Sequence, residues 1–203
     1  MKKFGFTLAE VMVALVLIGV ITSLTIPTFV ASNKNRSHAT KLAVAVSAIE
    51  NAFSSMQAVE SAQNMNETRF GREPNSENLG RYLKIIGSNP INDYYGGNNP
   101  FRTITGDTNP DISEYTFFET KNGTLIAYDR GSRCLAIDVN GGNAPNVWAR
   151  DVFFFIVGQD GSLNPAGGEI FNNLAPEPLN CNDADRGAGC TAELVENNYE
   201  VSF

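Results

Sequence analysis

The chain has 203 residues, 42% hydrophobic and 18% charged, with 15 Lys plus Arg against 22 Asp plus Glu and a net charge of −7. That length bounds it to one or two domains, and the roughly 165 residues beyond the first thirty-odd suffice for one domain with its own core. The acidic balance, with no Lys/Arg run beyond Lys2 and Lys3, excludes nucleic-acid binding by a broad basic footprint, and a single His with no C-x-x-C pair argues against a zinc site.

The chain opens on a short basic stretch, MKKFG, and then turns apolar. Between Lys3 and Lys34 the only charge is Glu10, and the 21 residues from Val11 to Ala31 carry none. That run is about 30 Å of α-helix, enough to cross a bilayer. Lys2 and Lys3 predict a cytoplasmic N-terminus, with the remaining domain outside the cytoplasm. Three readings compete. A secretory signal peptide needs small residues ahead of its cleavage site. The candidates are TFVA, with bulky Phe29 at −3, and SHA, which lies beyond Lys34 and Arg36; both are poor. A plain signal anchor has no need of Glu10. The third reading is a segment cut ahead of its apolar core and kept in the mature protein.

The stretch KKFGFTLAEVMVALVLIGVI resembles the N-terminus of type IV pilins and type II secretion pseudopilins, with Gly5, Phe6, Thr7, Leu8 and Glu10 matching position by position. The resemblance implies cleavage after Gly5 by prepilin peptidase, a membrane-embedded aspartic peptidase that also N-methylates Phe6. It implies that Glu10 accepts the Phe6 amine of an adjacent subunit and so sets register during assembly. Pro27 falls where many pilins bend their helix. An assembly platform and an extraction ATPase are implied partners, as are membrane lipid before assembly and other pilin-like subunits after it. The implied location is the bacterial inner membrane, then a periplasmic or cell-surface filament. The residues support the same idea physically. Cleavage places an ammonium on Phe6, four positions before Glu10 on one helix face. An acid there meets the positive end of the helix dipole, and pairing offsets the cost of a carboxylate in lipid.

The expected organisation is a leader at residues 1–5, a transmembrane and assembly helix at 6–31, an amphipathic half at 32–62 and an extracytoplasmic domain at 63–203. Pro27 predicts a kink or local melting near Pro27 to Ser32, with neighbouring Ser and Thr hydroxyls serving the freed backbone groups. Beyond it, Leu42, Val46, Ile49, Phe53 and Met56 recur at spacings of four and three, the apolar face of a helix. The stripe lasts barely two heptads, which favours packing on the chain's own sheet over a coiled coil. His38 falls in a polar turn and reads as solvated. SENLGRYLKIIG reads as a short helix capped by Ser76 or Asn75, with Leu79, Tyr82, Leu83 and Ile86 on one side. Residues 87–112 are an irregular connection and a candidate contact surface.

Strand signals follow at 114–119, 124–129, 134–139 and 151–157, separated by turn residues, and LNP begins a return strand. These predict an antiparallel meander. TAELVEN reads as a short helix and YEVSF as an edge strand. The fold class is therefore α+β: the pilin fold that the resemblance implies, a long N-terminal helix on an antiparallel sheet with a loop-rich C-terminal region. Asp138, Asn140 and Asn143 offer oxygens beside glycines, as calcium prefers. The run lacks the EF-hand acid spacing, and an Asn/Gly-stabilised loop explains the same residues. Cys181 and Cys190 enclose CNDADRGAGC, a separation that suits a loop-closing disulfide, with two free thiols as the alternative. Cys134 reads as a buried free thiol, and Trp148 as a packing anchor near the sheet edge.

The resemblance implies a structural, self-assembling filament subunit and not an enzyme, and no G-x-S-x-G or Cys–His arrangement supports a hydrolase. The alternative is a membrane-anchored binding module that uses the loops at 87–112 or 138–150.

Overall fold

The computed structural model describes residues 7–88, 115–148, 150–165 and 188–199. The backbone of Gly5, Phe6, Cys181 and residues 200–203, the side chain of Cys190 and nearly all of the 87–112 connection lie outside the described residues, so the expectations placed on them are not addressed by the geometry. The chain divides into two compact units, Met1–Ser37 and His38–Phe203.

Helix α1 runs from Leu8 to Glu60 and is unbroken through Pro27. The local melting expected near Pro27 to Ser32 therefore does not occur. Proline removes one N–H from the ladder, and helical bonding continues on both sides of the gap. In the preceding turn, Ser23 Oγ donates to the Val20 carbonyl at 2.8 Å and Thr25 Oγ1 to the Ile21 carbonyl at 3.0 Å. At the other end Ser61 takes a left-handed conformation, with φ 52°. The Ala62 N–H reaches back to the Gln57 carbonyl at 3.0 Å and the Ser61 N–H to Ala58 at 3.4 Å, a Schellman closure that serves the last carbonyls.

In the second unit, the α1 residues Leu42, Val46, Ile49, Phe53 and Met56 are all buried, and they join one core with residues of the sheet. The apolar stripe thus packs on its own domain. A 3₁₀ turn (Met65–Glu67) leads into the short helices α2 (Arg69–Arg72) and α3 (Ser76–Gly80). Thr68 caps α2 and Asn75 caps α3, each accepting the N–H three residues on. The helix expected across SENLGRYLKIIG stops at Gly80. Its last residues form strand β1 (Ile85–Gly87), because Ile85 finds a backbone partner in Thr120, and Ile86 faces outward, 63% exposed.

The sheet has six strands in sequence order, each neighbouring pair antiparallel. After β1 come β2 (Thr116–Thr120), β3 (Leu125–Asp129), β4 (Cys134–Asp138), β5 (Val152–Val157) and β6 (Leu163–Pro165). Alternation sorts side chains onto two faces. Phe118, Ile126, Tyr128, Leu135, Ile137, Phe153 and Phe155 join the α1 core, while Phe117, Ala127, Cys134, Ala136, Phe154 and Trp148 form a second buried cluster. Burial on both faces explains why β5 reads as a continuous apolar run. The β5–β6 turn lies against α1: Gly161 has φ +84°, and a Cβ there would stand 3.0 Å from Phe53 Cβ. Glu50 Oε1 accepts the Leu163 N–H at 3.0 Å. Helix α4 (Ala188–Glu196) covers the predicted TAELVEN segment and contributes Leu194 to the α1 core.

Candidate functional site

Among the described residues of the first unit, Leu8, Met12, Leu15, Val16, Ile18, Ile21, Leu24 and Phe29 are all more than half exposed. α1 is long and apolar enough to cross a membrane, and none of its most apolar stretch is buried.

Glu10 sits at the start of this helix in a defined geometry. Its Oε2 accepts the Thr7 N–H at 2.9 Å and the Thr7 hydroxyl at 2.8 Å, while its own N–H donates to Thr7 Oγ1 at 3.3 Å. This is a reciprocal capping box: Thr7 is the N-cap, and Glu10, at the third helical position, reaches back over the first turn. The two residues supply partners for N–H groups that a helix start leaves open. Both bonds accepted by the carboxylate fall on Oε2. Ala9, Val13, Ala14 and Leu17 line an apolar groove beside it. The capping role of Thr7 is not among the sequence expectations, although T-x-x-E ahead of an apolar run is its signature.

Residues 1–26 match the prokaryotic N-terminal methylation motif.

The matched span contains Gly5, Phe6 and Glu10, and it supports a type IV pilin-like or pseudopilin subunit that prepilin peptidase processes. With the exposed apolar helix, the motif supports anchoring in the inner membrane. It points to a structural subunit in place of an enzyme, and to assembly with other pilin-like subunits. Neither curated proteins nor solved structures give a match to the chain.

Outside the motif, the β4–β5 connection gathers the residues considered for calcium. Asp138 and Asp151 are both buried. Asp151 Oδ2 accepts the Asn140 amide N–H and the Asn146 backbone N–H, each at 2.9 Å, and Oδ1 accepts the Val147 N–H at 2.7 Å. Asp138 Oδ1 accepts the Asn140 N–H at 3.1 Å. With its amide oriented to satisfy both neighbours, Asn146 donates to Asp138 Oδ2 at 3.2 Å and to the Asn143 carbonyl at 2.9 Å. Asn143 turns its NH₂ to the Asn140 carbonyl at 2.7 Å.

Of the oxygens expected as ligands, those of Asp138 accept N–H donors, and Asn143 turns its NH₂ group into the loop. Asn140 Oδ1 is buried without a partner, but among the described residues no group of three or more His, Cys, Asp or Glu converges for a metal. The connection is a hydrogen-bonded loop centred on Asp151, a residue that the strand signal at 151–157 assigns to β5. His38, read as solvated, is tied to this loop: its Nδ1 lies 2.9 Å from the Arg150 carbonyl, so the N–H donates there. Trp148 packs on Phe154 of β5, ring centroids 4.4 Å apart. Cys134 is a buried free thiol hydrogen-bonded to Tyr115, and burial pushes its pKa up to about 11.

Proposed function

We propose that the chain is a structural subunit of a type IV pilus-like or type II secretion pseudopilus filament. In this reading it is cut between Gly5 and Phe6, methylated on Phe6, and assembled through its N-terminal helix. The observation that carries the reading is the methylation motif lying over a helix whose described apolar side chains are exposed. Apolar surface of that extent is favourable in lipid and equally favourable against the same helix of other subunits, so exchange between the two environments is nearly balanced. Direction and register must then come from a polar contact. Glu10 supplies it: the carboxylate accepts the Phe6 ammonium of the neighbouring subunit, a charge-assisted bond made strong by the apolar surroundings. The Thr7 bonds to Oε2 hold the carboxylate at the helix start and leave Oε1 for the neighbour.

A pair of variants separates charge from cap. Glu10→Gln keeps a residue that can close the capping box but removes the charge. We expect normal membrane insertion and cleavage, with sheared filament yield lowered about tenfold or more, because each subunit then lacks one charge-assisted bond. Thr7→Val keeps the charge and removes the cap. Filaments should persist while hydrogen exchange at the first-turn amides speeds up about fivefold. Filament yield unchanged in Glu10→Gln would refute the pairing.

A further inference from the structure

Where the last turn of α1 meets α2 and the residues after α3, a concavity of about 430 Å³ is lined by Glu60, Glu67, Arg69, Arg72, Arg81 and Tyr82. Three arginines converge here in a chain with a net charge of −7. Both wall carboxylates are already engaged by other donors. Glu60 Oε2 accepts the Arg69 backbone N–H at 2.6 Å and Oε1 the Tyr82 hydroxyl at 3.3 Å. Glu67 Oε2 accepts the Gln63 N–H and Oε1 the Asn64 amide, each at 2.9 Å. Neither meets a guanidinium. Arg81 pairs with Glu77 at 2.8 Å, a residue off the lining. Among the described residues the side chains of Arg69 and Arg72 form no ion pair or hydrogen bond.

We propose that this concavity binds the carboxylate side chain of an acidic peptide segment on a partner polypeptide. The guanidinium fork matches a carboxylate in two parallel bonds. Arg81 is engaged by Glu77, which leaves Arg69 and Arg72 as the uncommitted cations on the wall, and a phosphate dianion meets greater repulsion from Glu60 and Glu67 than a single carboxylate does. The volume admits a side chain with its adjoining backbone. No basic run in the sequence marks the site, because these arginines stand three and nine positions apart; the turns around Thr68 and Asn75 bring them together. The proposal does not depend on filament assembly.

The test uses the full chain in nonionic detergent micelles, with tetraglutamate and inorganic phosphate as probes. Phenylglyoxal labelling is read by mass spectrometry at each arginine. Tetraglutamate should slow labelling of Arg69 and Arg72 several-fold and leave exposed Arg130 unaffected, with phosphate protecting less. The double variant Arg69→Gln/Arg72→Gln should bind fluorescent tetraglutamate about tenfold more weakly, or about 1.4 kcal/mol. Its fold is verified by native Trp148 fluorescence. Equal slowing at Arg130, no slowing at all, or a double variant that binds like the parent overturns the site. Stronger protection by phosphate overturns the carboxylate assignment.

Discussion

Replacing Asp151 with Asn tests whether the β4–β5 connection is held by hydrogen bonds or by a cation. The carboxylate is fully buried and receives three N–H donors, from Asn140, Asn146 and Val147. An amide of the same shape keeps one acceptor atom and turns an NH₂ against the donors on the other side. Bonds to a charged acceptor contribute about 1.5–3 kcal/mol each, and an orphaned buried donor costs about 1–3 kcal/mol. Because the loop can relax and admit water, the expected net loss is about 2–4 kcal/mol. Trp148, the only tryptophan in the chain, packs beside this loop on Phe154 and reports directly on it. Urea unfolding of the full chain in nonionic detergent, followed by Trp148 fluorescence, gives the number. Calcium should leave the midpoint of the parent protein unchanged, since N–H donors occupy the carboxylate oxygens of Asp138 and Asp151. A loss under about 0.5 kcal/mol, or a calcium-dependent rise in midpoint that Asp151→Asn abolishes, would show that hydrogen bonds to Asp151 do not hold the loop.

Two further outcomes come from the same domain. A Cβ on Gly71 would stand 1.9 Å from the Met65 carbonyl oxygen and 2.8 Å from its carbon, both backbone atoms, so Gly71→Ala should destabilise by about 3 kcal/mol or more. Gly80→Ala, with nothing within 4 Å, should stay within about 1 kcal/mol of the parent in the same urea titration. Cys134 should resist iodoacetamide at pH 8 in the folded chain and react on unfolding, because burial holds its thiol pKa at about 11 against an ordinary 9.0. In the window between those values the unfolded thiol has lost its proton while the folded one keeps it, so this group's contribution to stability declines as pH rises. Native labelling at pH 8 would show that the site opens without unfolding.

The parts of the fold legible in the sequence are those where one pattern dominates. The three–four spacing from Leu42 to Met56 and the alternation at Phe117–Phe118 and Cys134–Ile137 each specify a buried face, and both faces are found. Short-range signals are less decisive where a tertiary partner competes. Tyr82, Leu83 and Ile86 fit a helical side, yet Gly80 ends the helix and β2 offers Ile85 a ladder. Pro27 carries a strong local penalty, but a single missing N–H does not stop a long helix whose neighbouring turns are intact. In the loop after β4, Asp and Asn beside Gly satisfy a metal-ligand pattern and an Asx-turn pattern alike. In the structure the N–H donors around Asp151 satisfy the turn pattern. Thr7 is legible through T-x-x-E, but the same residues also belong to the cleavage motif, in which Glu10 stands out as a charge and its cap does not.

Processing is read from the intact mass and N-terminal sequence of the chain extracted from membranes that contain prepilin peptidase. The mature protein should begin at Phe6 with a methylated amine. A chain that still begins at Met1, or one that begins beyond Ala31 with the apolar helix removed, would contradict it.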